Sequence, residues 1–119
     1  MTSSMRLLIA IVAVACVAAP AAGQSGAPSS VPPSAAEAKT LYEGHCQKCH
    51  GPAGQPSAAM KKLLPELPTW SAAFFATRSD SDIVSVLMNG KGKNMKPFGD
   101  RLNEAQMQAL AAYIRTLVP

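Results

Sequence analysis

The stretch SAAEAKTLYEGHCQKCHG, residues 34–51, sets both the architecture and the chemistry of this chain. Ser34 followed by Glu37 forms a capping box, in which each residue's side chain meets the other's backbone N–H. Ala35, Ala38, Leu41, Tyr42 and Cys46 recur at helical spacing, which predicts a helix from about Ala35 to Cys46 or a little beyond. Gly51-Pro52 stops it. The end of this helix reads Cys46-Gln47-Lys48-Cys49-His50, a C-x-x-C-H pattern that places two thiols and an imidazole on one short turn.

Downstream, four prolines (52, 56, 65 and 68) make residues 51–69 a long loop with one short helical turn around Ser57 to Leu64. Another turn is expected within Trp70 to Ala76. Ser79, Asp80 and Asp82 start a helix whose apolar face is Ile83, Val84, Leu87 and Met88, closed by Asn89-Gly90. Gly90 to Arg101, with three glycines and Lys91, Lys93 and Lys96, is irregular. Asn103 and Gln106 cap a last helix with the stripe Met107, Leu110, Ala111, Ile114 and Leu117. No strand pattern is present, so the expected fold class is all-α, with short helices and long loops. Loops of this length in a compact domain are uncommon unless functional, and they need something to wrap around.

Upstream, Met1 to Arg6 and the apolar run Leu7 to Ala19 form a secretory signal too short to span a bilayer. Small residues at Ala19-Pro20-Ala21 and Ala21-Ala22-Gly23 place cleavage near Ala22 or Gly23, so residues 1–23 are a signal peptide and the protein is exported, periplasmic in a bacterium. Residues 24–33 read as a flexible linker of Ser, Pro, Gly and Ala, and residues 34–119 as the folded domain. Cys16 reads as an apolar filler discarded with the signal. A lipobox at Ala13-Val14-Ala15-Cys16 is the competing reading, and only lipidation there would associate the protein with a membrane.

A length of 119 residues fits one domain and excludes a multidomain enzyme. The charge of +4 is modest and, with the export signal, argues against nucleic acid as a partner. Hydrophobic residues make up 48%, yet 21 are alanine and only six are aromatic, so bulky core material is thin.

The C-x-x-C-H pattern is the attachment sequence of c-type haem. Two thiols on one turn can add across the two porphyrin vinyl groups while His50 reaches the iron from the same side. A thioredoxin-like redox pair would need a βαβ pattern that is not there. A zinc site would need two more ligands, and the other histidine, His45, sits beside Cys46 on the same helix. A disulfide between Cys46 and Cys49 would close a tiny loop and stabilise little. The expected cofactor is therefore one haem c per chain, bonded through Cys46 and Cys49.

From Ser34 to Leu117 the sequence resembles the class I, small single-haem, c-type cytochromes. The likeness rests on Ala38 and Tyr42 leading into Cys46-Gln47-Lys48-Cys49-His50-Gly51, a methionine-bearing loop, and the terminal Leu110-Ala111-Ala112-Tyr113-Ile114-Arg115. The resemblance implies that the first and last helices cross near these positions. Ala38 stands where that family usually has glycine.

The sixth ligand is sought among the methionines after the signal. Met88 and Met107 fall on apolar faces and are expected in the core, and Met60 has neighbours in Leu63 and Leu64. Met95 is the one large apolar side chain in a polar run. The resemblance also puts the ligand methionine in this loop, so iron is expected on His50 and Met95, with Met60 in reserve. A thioether is a soft neutral ligand, and Met/His ligation raises the reduction potential. The resemblance further implies a proline carbonyl accepting from the His50 N–H, with Pro65 the first choice and Pro68 the second. Trp70, Phe74, Phe75 and Phe98 are expected to wall the haem or neighbour its propionates.

An iron with both axial positions filled has no place for substrate, so the expected function is a monomeric one-electron carrier, not an enzyme. Its partners would be redox proteins, with acidic docking surfaces opposite Lys48, Lys91, Lys93 and Lys96. The alternatives are a five-coordinate haem domain with a peroxidase-like or gas-binding role, and a haem subunit of a larger dehydrogenase or oxidase.

Overall fold

A computed structural model describes residues 31–118. The signal peptide with its cleavage site, Cys16 and most of the linker lie outside the described residues.

Within the described residues six helices follow one another: α1 (Ala35–His45), α2 (Gln47–His50), α3 (Ala58–Leu63), α4 (Ala72–Ala76), α5 (Asp80–Asn89) and α6 (Glu104–Thr116). Among the described residues no strand forms, and one isolated bridge joins Lys91 to Met95. Helices this short are marginal alone, because nucleation fixes several residues for one hydrogen bond. The chain compensates at their starts. Ser34, Ser57, Ser71, Ser79 and Asn103 each accept a hydrogen bond from the third residue of the helix they open, and Ser34–Glu37, Ser79–Asp82 and Asn103–Gln106 close into reciprocal boxes. Each such cap contributes about 1 kcal/mol.

Packing supplies the rest. Helix α6 lies against both α1 and α5. Ala38 and Tyr42 of α1 are buried, as are Ile83 and Leu87 of α5 and Met107, Leu110, Ala111 and Ile114 of α6. The α1–α6 contact that the resemblance implies is therefore present, with alanine at position 38 fully enclosed. The loops contribute Trp70, Phe98 and Leu102 to the same core.

One expectation fails within α5. Met88 is 42% exposed, although it was expected on the buried face. A helix advances about 100° per residue, and with Ile83 and Leu87 directed inward Val84 is left half-buried and Met88 turned to the rim, where its side chain passes Gly99.

Arg115 ties the last turn of α6 to the α4–α5 connection. Its guanidinium donates to the carbonyls of Phe75 and Arg78 and to the Asp80 carboxylate, and lies over the Phe75 ring. A single fork thus serves the Arg78 carbonyl in the α4–α5 connection and shares the Phe75 carbonyl with the Arg78 amide.

Candidate functional site

The site is built on the turn between α1 and α2. The amide of Cys46 donates to the Tyr42 carbonyl at 2.8 Å, and the amides of Cys49 and His50 both donate to the Cys46 carbonyl, at 3.1 and 3.0 Å. These bonds hold the two cysteines and the histidine on one turn at the end of α1. Among the described residues neither thiol is in a disulfide, and both are half-buried. Burial, reinforced by the neighbouring Cys49, pushes the Cys46 thiol up to about 11.

Tyr42 anchors this turn from below. It is fully buried, its ring lies 6.1 Å from that of Trp70 and 5.6 Å from that of Tyr113, and its hydroxyl donates to the Gly51 carbonyl. Burial raises the phenol to about 12, so it stays a donor at any ordinary pH.

His50 Nδ1 is buried and has no hydrogen-bond partner among the described residues. Burial lowers the imidazole pKa, which favours the neutral form that carries a free lone pair for a metal. The ring stacks on the Trp70 indole, with centroids 4.6 Å apart and planes 20° from parallel. The expected bond from His50 to a proline carbonyl is not made. Pro65 is exposed and Pro68 is half-buried, and neither carbonyl accepts from Nδ1. Pro65 follows the end of α3, where its ring is left facing solvent; the segment that returns to His50 is the later one leading to Trp70.

Met95 is half-buried and packs against the core cluster, as does Cys46, whereas Met60 lies outside that cluster. The Met95 loop is closed by reciprocal backbone bonds between Lys91 and Met95, at 2.8 and 3.3 Å. Asn94 donates to the Glu66 carboxylate at 2.8 Å, joining this loop to the segment after α3. Phe98 is buried, with the His45 ring edge-to-face at 5.8 Å between centroids and the Arg101 guanidinium 4.5 Å from its centre. Phe75 is buried and Phe74 half-buried, in edge-to-face contact with one another. Lys48, Lys91, Lys93 and Lys96 are all exposed.

A separate open groove of about 430 Å³ is lined by Glu43, Gln47, Lys48, Cys49 and Gln55 among others. Neither His50 nor Met95 lines it, so it is not where the expected ligands converge. The residues that do fit a haem are those of the α1–α2 turn: two thiols on one turn, neither in a disulfide among the described residues, and a half-buried histidine whose lowered pKa favours the neutral, metal-binding form. Sequence reasoning did not foresee the Tyr42–Gly51 bond, the His50–Trp70 stack or the Glu66–Asn94 bridge, and no local pattern announces contacts between such distant positions.

Residues 33–114 match the family described as cytochrome c oxidase, cbb3-type, subunit III. The chain belongs to this family. It is a cytochrome c domain, and the family implies haem c at Cys46-Gln47-Lys48-Cys49-His50. The chain is similar to the cbb3-type cytochrome c oxidase subunit CcoP of Azospirillum brasilense, at 28% identity over 83 residues, covering 70% of this chain and 28% of that protein. It is also similar to a cytochrome c6 of Synechococcus sp., at 33% identity over 79 residues, covering 66% of each. Among solved structures, the KustC0563 c-type cytochrome superposes with a TM-score of 0.62 at 28% identity, over 69% of this chain and 98% of that one. This cytochrome c domain spans less than a third of the length of the CcoP relative. No helix among the described residues is long and apolar enough to cross a membrane.

Proposed function

We propose that this cytochrome c domain is an exported one-electron carrier holding a single haem c, attached through Cys46 and Cys49, with His50 and Met95 as the axial ligands. The observation that carries the reading is the α1–α2 turn, which presents both thiols beside a half-buried imidazole stacked on Trp70. Haem c, when bound, supplies one iron-centred electron couple. The chain's own residues do the remainder. Tyr42 pins the turn through the Gly51 carbonyl, burial favours the neutral form of His50, and the closed Lys91–Met95 loop holds a neutral thioether against the core. The apolar surroundings from Tyr42, Trp70, Phe75 and Phe98 exclude water and so favour a small response to a change of charge. Exposed lysines around Met95 and in the attachment motif would draw an acidic redox partner.

A second reading has its own support. The match to CcoP, over 28% of that protein, favours the same electron transfer performed within a larger oxidase assembly. Size-exclusion analysis of the native protein, probed by its haem absorbance, separates a free carrier from a subunit.

The central test is an absorption spectrum of the purified protein, oxidised and reduced, with a pyridine haemochrome assay. Covalent c-type haem and a weak near-red charge-transfer band in the ferric form are expected. A haemochrome that is extracted by acid acetone would remove covalent attachment, and rapid carbon monoxide binding to the reduced protein would remove six-coordination in favour of a five-coordinate site.

A further inference from the structure

We propose that Trp70 is a positioning residue for His50, its indole setting the plane in which the imidazole meets the iron. The proposal rests on the reading of His50 as an axial ligand and goes beyond it. Ligating histidines are usually oriented by a hydrogen bond from their second ring nitrogen, which fixes both tautomer and ring plane. Among the described residues His50 has no such bond, because its Nδ1 is buried without a partner. The terminal torsion of a histidine is broad and roughly two-fold, so a ring without that bond needs another restraint. The Trp70 indole supplies one. The two rings are 4.6 Å apart and 20° from parallel, whereas the other aromatic pairs among the described residues are tilted or edge-on. Turning the imidazole about its Cβ–Cγ bond would replace this face-to-face contact with an edge.

A restraint is useful only if it is itself held. Trp70 is 7% exposed, its amide donates to the Gly54 carbonyl at 3.0 Å, and its ring packs between Tyr42 and Phe75. Gly54 lies directly against the indole, where a Cβ would come within 2.4 Å of Trp70 Cε3. That position also has a φ of +68°, which glycine accepts readily. The indole is thus clamped on the Gly54 side and offers its other surroundings to His50. Trp70 therefore acts as a platform beneath the ligand histidine rather than as an unspecific wall of the pocket.

The experiment is proton NMR of the oxidised, haem-loaded protein, because the order and spread of the four shifted haem methyl resonances depend on the planes of the axial ligands. Trp70→Leu is expected to reorder or double these resonances, while Trp70→Phe, which keeps an aromatic face, retains the wild-type order. Gly54→Ala, which pushes a methyl group into the indole without altering either ring, is expected to shift the pattern in the same sense as Trp70→Leu and serves if that variant does not fold. Wild-type order and spread in Trp70→Leu or Gly54→Ala overturns the proposal, and so does a reordered pattern in Trp70→Phe. A wild-type protein without a haemochrome spectrum overturns the ligation reading together with the proposal. A wild-type protein with shifted methyls and unaffected variants overturns the positioning role alone.

Discussion

The Tyr42 hydroxyl donates to the carbonyl of Gly51, nine residues further along the chain, and so fastens the turn that bears Cys46, Cys49 and His50 to the interior of α1. The bond crosses from the most enclosed side chain of the first helix to the residue directly after the histidine. Tyr42→Phe leaves the part-buried Gly51 carbonyl with only the longer bond from the Gly54 amide, at 3.4 Å, and is expected to lower stability by about 1 kcal/mol. Urea unfolding of the haem-loaded protein checks this, and an unchanged midpoint would show that the bond contributes nothing.

Met95 is expected to bind iron, and the loop around it depends on Gly90. That residue has a φ of +73°, and a Cβ there would meet the Met95 carbonyl at 2.5 Å and the Pro97 nitrogen at 2.8 Å. Met95→Ala should abolish the near-red band of the ferric protein, and Met60→Ala should retain it. Gly90→Ala should weaken the band or shift its loss to lower pH, since the backbone must move where Met95 is carried. Survival of the band in Met95→Ala would exclude Met95 as the ligand.

Acid should loosen α1 and α5 from their N-termini. The Glu37 carboxyl is held below its usual 4.5 by hydrogen bonds from Ser34, and that of Asp82 below its usual 3.8 by those from Ser79. With folded values below unfolded ones, the unfolded chain binds more protons in this range, so stability is full above the unfolded values and is lost as pH falls through the folded ones. Glu37→Gln and Asp82→Asn keep a side-chain acceptor without the titration. Both variants should flatten the acid limb of a stability-against-pH curve below about pH 5, measured by denaturation at fixed pH values.

Arg115 holds the α4–α5 connection against α6 through several donors of one guanidinium. Arg115→Lys retains the charge but loses the fork, and a cost of about 1–2 kcal/mol is expected, chiefly from the Arg78 carbonyl left without its donor. If thermal unfolding of Arg115→Lys matches the wild type, charge alone accounts for the tie.

Electron transfer to an acidic partner should slow as ionic strength rises, because exposed Lys48, Lys91, Lys93 and Lys96 attract it over distances that salt screens. Stopped-flow rates between low salt and about 0.15 M, where the Debye length is about 8 Å, test this. Rates independent of salt would leave these lysines as ordinary surface charge.

The helical architecture was legible because its signals are local. Ser34–Glu37, Ser79–Asp82 and Asn103–Gln106 lie three residues apart, and the stripe of α6 repeats at helical spacing, so neighbours along the chain are neighbours in space. The attachment turn was legible for the same reason. Met88 was misplaced because periodicity names a face without saying where its edge falls, and Ile83 and Leu87 take the centre of it. The resemblance implied a proline carbonyl near His50, but which segment of the 51–69 loop returns to that ring is a tertiary matter, and here it is the one leading to Trp70.

By itself the sequence determined the all-helical class, the starts of the helices and the thiol–thiol–imidazole turn at residues 46–50, all of which depend on contacts within a few residues. Only the tertiary structure decided what stands beneath that turn. Trp70 reaches His50, Tyr42 reaches Gly51 and Arg115 reaches Phe75 because packing against one core joins segments whose separation along the chain carries no periodic signal. Close packing leaves each of those side chains few places to go, and that restriction arises only once α1, α5 and α6 have come together.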